Sequence, residues 1–172
     1  MALLGDEGRS GLKLAPLCRE VGVTSGSFYH HFGSWAGFVE AMLEHWEAEQ
    51  TQRLIALSFA PDDPWERVEV MKTVAVTVPH EAEAAIRAWG KTDPAVGRAQ
   101  RRVDEARIAG LHEVILGVGG DEATARRLSL MGIALLAGVQ QIRSLVDRGE
   151  LLAVFNDFEQ VIADNVPARV AP

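Results

Sequence analysis

Apolar residues recur three and four apart along most of the chain, the repeat of helices buried on one face. The clearest run is Trp35 to about Ala56. There Phe38, Met42 and Trp46 fall at i, i+4 and i+8 with Val39 and Leu43 beside them, while Glu40, Glu44, Glu47 and Glu49 occupy the other side. Upstream, Leu12, Leu14, Leu17, Cys18 and Val21 predict the inward face of a short helix, and Phe28 with Phe32 that of another. Downstream, helices are predicted from Trp65 to about Val78, Pro79 to Trp89, Pro94 to about Leu116, Asp121 or Glu122 to Asp147, and Leu151 to Asn165. No alternating strand pattern and no internal repeat interrupts the series. The fold class expected is all-α.

Punctuation between these runs is sharp. Pro16 falls in the first turn of its helix, where the missing amide has no intrahelical partner. Thr24 stands where a helix N-cap is needed, and Gly33-Ser34 closes one helix and caps the next. Pro61-Asp62-Asp63-Pro64 and Gly90-Lys91-Thr92-Asp93 break the body, Gly117–Gly120 makes a loop, and Gly149 is expected to end the long helix. Met1–Leu4 is too short for a helix of its own, and Gly5-Asp6-Glu7-Gly8 breaks whatever it begins. The chain therefore reads as beginning late, without the supporting helix that two small helices need beneath them.

Leu14–Phe32 organises the rest. Two short helices joined by a turn at Gly22-Val23 make a helix-turn-helix, whose second helix enters the DNA major groove. Ser25, Ser27, Tyr29 and His30 lie on or near its outer face. The division expected is a DNA-binding head over residues 1–45 and a larger helical body over 46–172.

Composition narrows the alternatives. With 172 residues, 48% hydrophobic and 24% charged, the chain is globular rather than disordered. Its net charge of -7 and pI near 5.2 oppose a broad positive field, so DNA contact has to rest on hydroxyls, helix amides and local geometry. A lone cysteine, Cys18, sits among apolar neighbours and reads as a small core residue. No signal peptide and no apolar run long enough to span a membrane is present, so a cytoplasmic protein with no membrane partner is expected. His30 and His31 are adjacent on a helix and point apart, with no Cys or carboxylate to complete a metal site. No nucleophile–base pattern, phosphate loop or metal spacing appears, so neither enzyme activity nor a cofactor is expected.

The last two predicted helices carry long apolar stripes, with Gly132, Ala134, Ala137 and Gly138 interleaved in the first of them. Such stripes serve a monomer core or a partner surface equally well. A helix-turn-helix reads two half-sites about 34–36 Å apart, which requires a two-fold. That requirement assigns Leu135, Val139, Ile142, Phe155, Phe158 and Ile162 to a homodimer interface. Within the body, Trp65, Met71, His80, Trp89, Arg107, Leu111 and His112 are the candidates for lining a ligand pocket. Arg107 and His112 are the most informative, because polar groups inside an apolar body need partners.

At VGVTSGSFYHHFGS, Val21–Ser34, the sequence resembles the tetracycline-repressor (TetR) family of transcriptional regulators. Val21-Gly22-Val23 matches the turn, Thr24 the hydroxyl cap, Gly26-Ser27 the small pair, and Phe28-Tyr29 with His30-His31-Phe32 the aromatic segment. The resemblance spans roughly Gly8–Leu43, and AIRAWGKTDPAV, Ala85–Val96, is similar to a stretch in many members. It implies a homodimeric all-α regulator, usually a repressor, that binds a palindromic double-stranded operator and is released by a small-molecule effector. Carried over, Lys13, Thr24 and Tyr29 contact phosphate, Ser25, Ser27 and His30 lie nearest base edges, and Gly26 belongs to the same DNA-binding set. Two positions where the family commonly carries a cation hold Ser25 and Trp35, and each lost phosphate contact removes about one unit of salt slope. These departures, the acidic charge and the short N-terminus support a second reading: a small-molecule-binding helical dimer whose head is degenerate or incomplete.

Overall fold

The computed structural model describes residues 1–166, so residues 167–172 of the expected body lie outside that description. Ten α-helices follow one another, and among the described residues there is no strand. They are α1 (Ala2–Gly11), α2 (Leu14–Glu20), α3 (Ser25–Phe32), α4 (Trp35–Glu47), α5 (Arg53–Ser58), α6 (Pro64–Thr77), α7 (His80–Gly90), α8 (Pro94–Gly117), α9 (Glu122–Ile142) and α10 (Arg148–Asn165). A π turn, Ala48–Gln52, joins α4 to α5.

Side-chain caps set most of the starts. Thr24 accepts from the Ser27 amide at 3.1 Å and Ser34 from the Gly37 amide at 3.0 Å. Asp63 accepts from Trp65 and Glu66 at 2.7 and 3.0 Å ahead of Pro64, and Asp93 from Ala95 at 2.9 Å ahead of Pro94. In both cases proline occupies the first helical position, where its preset φ fits and no amide is lost.

Four sequence expectations are corrected. A helix does precede Leu12: α1 forms despite its glycines because Leu4, 1% exposed, buries against the body core, and tertiary burial outweighs weak propensity. Its chain kinks at Gly8, whose φ of 62° is open to glycine at little cost. Val21, expected to point inward, is 57% exposed. The helix expected over Trp35–Ala56 is broken by the π turn and runs on to Ser58. Finally, α9 stops at Ile142 rather than Asp147, and Asp147 instead caps α10 by accepting from the Glu150 amide at 2.9 Å. The Asp-x-x-Glu pattern at Asp147–Glu150 thus starts a helix, and Gly149 lies in its first turn rather than ending the previous one.

Two cores result, and α8 runs through both. The larger one packs Val68 of α6, Leu111, Val114 and Ile115 of α8, Leu128 and Leu136 of α9, and Leu151, Phe155, Phe158 and Ile162 of α10. The smaller one joins the N-terminal helices to the body: Leu4, Leu43 and Trp46 meet Ala82, Ile86 and Trp89 of α7 and Val96, Ala99 and Val103 of α8. At their closest, α7 and α8 touch backbone to backbone. A Cβ on Gly97 falls 2.7 Å from the Gly90 carbonyl oxygen. No rotamer change relieves that clash, so Gly97→Ala has to push the helices apart. The loss outweighs the gain of about 1 kcal/mol in helix propensity, and urea denaturation is expected to show a net destabilisation of about 1–2 kcal/mol.

Candidate nucleic-acid interface and body cavity

The turn between α2 and α3 is made possible by Gly22, whose φ is 67°. Below α3, Phe28 is 3% exposed and its ring meets those of Phe32, Phe38 and Trp35 at centroid distances of 5.0, 5.3 and 6.0 Å. Trp35 stacks on Phe28 at an interplanar angle of 28°, so it is part of the head's own core rather than a surface group. This aromatic cluster fixes the roll of α3 on α4. As a result Ser25, Gly26, Ser27 and His30 are all exposed, and Tyr29 is 46% exposed with its ring edge-on to Phe28. Lys13 is exposed at the N-cap of α2. The α3 residues expected to touch DNA therefore share one accessible side of the head. With Lys13, their chemistry is three hydroxyls, an imidazole and one ammonium, suited to hydrogen bonds with phosphate and base edges rather than to a strong field.

The N-terminal helices are tied to the body by three contacts. Trp46, 1% exposed, lies in the smaller core, and the Arg9 guanidinium sits 5.4 Å from the centre of the Trp89 ring. Arg102 of α8 also makes a bidentate pair with Glu47 of α4, with contacts of 2.8–3.1 Å.

Inside the body a cavity of ≈ 100 Å³ opens among α5, α6, α8, α9 and α10 and the π turn. Of the residues expected there, Met71, Arg107 and Leu111 line it. The others do not. Trp65 is half-buried against the larger core, Trp89 is buried in the smaller one, and His112 turns outward to Glu122, 3.2 Å away. His80 is buried behind the cavity wall rather than in it.

A polar network backs this wall. Glu83, 2% exposed, receives Arg107 at 2.5 and 3.0 Å and the Gln140 amide at 2.9 Å. Gln140 also lies 3.3 Å from His80 Nδ1, while His80 Nε2 is 3.1 Å from the Val76 carbonyl. Donation from Nε2 to that carbonyl leaves Nδ1 to accept from Gln140. Across the cavity, Lys72 contacts Glu159 at 2.5 Å and Glu69 at 2.9 Å. Burial pulls the Lys72 ammonium down, but its hydrogen bonds to the two carboxylates outweigh that and hold it above its ordinary value. Sequence reading singled out Arg107 and His80, yet gave no sign of Glu83, Gln140 or Lys72, because their partners lie far away in the chain.

Known proteins resemble the chain in its head and in its overall fold. Residues 1–42 match the family model of bacterial regulatory proteins, tetR family. Over those residues the chain is similar to the N-terminal head of that family. NemR of Escherichia coli in its reduced form shares its fold at 20% identity and a TM-score of 0.74, over 98% of this chain and 94% of that one. A TetR-family transcriptional regulator from Pectobacterium atrosepticum does so at 22% identity and 0.60, over 99% and 90%. Among curated proteins none matches the chain. The helix-turn-helix head on a larger helical body thus has the fold of these TetR-family proteins. Among the described residues no helix is long and apolar enough to cross a membrane.

The TetR-type body also shows where the expected interface residues lie. Phe155, Phe158 and Ile162 are 7, 6 and 1% exposed and belong to the chain's own core, so they have no surface to offer a partner. Leu135 and Val139 are partly buried on the flank of the same core. Of the six, only Ile142 is fully outward, at 76% exposed. The exposed apolar face of α9 is instead Leu130, Ala134, Gly138 and Ile142, spaced four apart, with Met131 beside it and Leu145 and Leu152 beyond. Periodicity found the stripes on both helices but not which stripe was already in use.

Proposed function

We propose that this regulator is a ligand-responsive repressor: residues 1–45 bind a palindromic operator, residues 46–172 hold a small-molecule effector, and two copies act together. The observation that carries the reading is the polar face of α3, held outward by the Phe28 cluster. The homodimer is supported by the apolar face of α9, where Leu130 and Ile142 are 59 and 76% exposed and Leu145 in the following loop is 75%. A monomeric soluble domain rarely leaves such a row of large side chains in water. Effector binding is supported by the partly open, apolar-walled cavity with charged pairs at its edge.

The test is titration of the full-length protein against a duplex spanning its own promoter, at several salt concentrations. Affinity should fall steeply with salt, by about one unit of log–log slope for each phosphate contact. Tyr29→Ala should weaken every sequence alike. Ser27→Ala or His30→Ala should lower discrimination at one base pair by about 1–3 kcal/mol. No binding at low salt would sink the repressor reading and leave the second one, a ligand-binding dimer with a degenerate head, which the net charge of -7 favours. Equal losses on all sequences from all three variants would overturn the division into phosphate and base contacts.

A further inference from the structure

We propose that the body cavity takes a neutral, largely apolar small molecule carrying a single hydrogen-bonding group, and that the Thr51 hydroxyl reads that group. The inference rests on the effector-binding reading above and specifies the chemistry of its site.

The walls are hydrocarbon: Val68, Met71, Leu111, Leu136, Phe155 and Ile162. Two cations reach the cavity, but neither is available to an anion. Arg107 is held by Glu83 at 2.5 and 3.0 Å, and Lys72 by Glu159 and Glu69 at 2.5 and 2.9 Å. A carboxylate entering here has to break a buried pair or lie beside a second carboxylate, and an ammonium meets the same difficulty with the charges exchanged. Neither recovers its hydration in such a site. The electrostatics therefore select for an uncharged occupant.

One polar atom in the lining has no such engagement. Thr51 is 1% exposed and sits in the π turn between α4 and α5, and its Oγ1 has no hydrogen-bond partner among the described residues. A buried hydroxyl left in that state is costly, and a ligand that meets it recovers the interaction. The hydroxyl both donates and accepts, so an alcohol, phenol or carbonyl satisfies it. Volume limits the rest. A cavity of about 150 Å³ admits benzene, so ≈ 100 Å³ calls for something no larger than one small ring or a short chain.

The experiment uses the full-length protein with four probes of similar size: phenol, toluene, pentanoate and pentylammonium. Affinity is measured by calorimetry and by ligand-dependent thermal stabilisation. In the native chain phenol should bind about threefold to tenfold more tightly than toluene, the range expected of one net hydrogen bond. Neither ion should bind detectably. Thr51→Val keeps the shape and removes the hydroxyl. It should erase the preference by weakening phenol while leaving toluene as it was, and it removes an unpaired polar group rather than a structural contact, so the variant should fold. Pentanoate or pentylammonium binding as tightly as phenol would overturn the proposal, as would an unchanged phenol-to-toluene ratio in Thr51→Val or the absence of phenol binding. Phenol binding with the expected Thr51 dependence but without effect on operator affinity would support the cavity's chemistry and overturn only the release of DNA.

Discussion

Replacing Arg107 with alanine is expected to lower stability by about 3–5 kcal/mol, the cost of stranding one partner of a buried ion pair. For a chain of this size that is a fall in melting temperature of roughly 6–20 °C, at about 2–4 °C per kcal/mol. The reason is Glu83. It is 2% exposed, and once the guanidinium is gone its charge is left with the Gln140 amide at 2.9 Å and the more distant guanidinium of Arg87. The pair itself is a poor source of stability, since both ions are desolvated to form it. Exchanging both partners, Glu83→Leu with Arg107→Met, should therefore restore much of what Arg107→Ala removes. Thermal denaturation of the single and double variants at neutral pH checks both statements. A single variant within about 1 kcal/mol of the native chain would mean that water reaches Glu83 and that the pair acts as a surface one.

The second large effect is at Trp46. Truncation to alanine should cost about 3–5 kcal/mol through the cavity left behind. The side chain is 1% exposed, and its indole nitrogen makes no hydrogen bond among the described residues, so the loss is one of packing. The vacancy would lie between α4 and the α7–α8 pair, where head meets body, so operator affinity should fall together with stability. Trp46→Phe, which keeps a ring, should recover most of both. Denaturation followed by operator titration on the folded fraction separates the two. Full operator affinity in a Trp46→Ala protein that has lost the expected stability would show that the head orients itself without this core.

Local signals made the head legible. Thr24 and Ser34 are caps because their hydroxyls satisfy amides three residues on, and Asp63-Pro64 and Asp93-Pro94 combine a cap with a proline at the first helical position. Each such signal spans only a few residues. Where a long-range contact decided the outcome, the sequence was silent or misleading. The glycines of α1 argued against a helix, but Leu4 finds a buried site on the body. Gly149 suggested an end where Asp147 and Glu150 make a start. The stripe Phe155, Phe158 and Ile162 is periodic whichever surface it meets, so spacing alone could not distinguish the chain's own core from a partner. The cavity is a gap between five helices and a turn. Met71, Arg107 and Leu111 were foreseen as chemistry, but Thr51 and Lys72 become part of the site only once the helices pack.

The helix α8 has a mechanical consequence. Its 24 residues make a rod about 36 Å long, at 1.5 Å per residue. One end holds Leu111 in the cavity wall, and the other holds Val96 and Ala99 against α7. A tilt of about 5° pivoting at Leu111 carries Gly97, about 21 Å along the axis, by about 2 Å. There Gly97 lies against Gly90 with no side chain between them to flex and absorb the motion. Any tilt imposed on the rod at the cavity wall would therefore pass without slack to the core beneath the head.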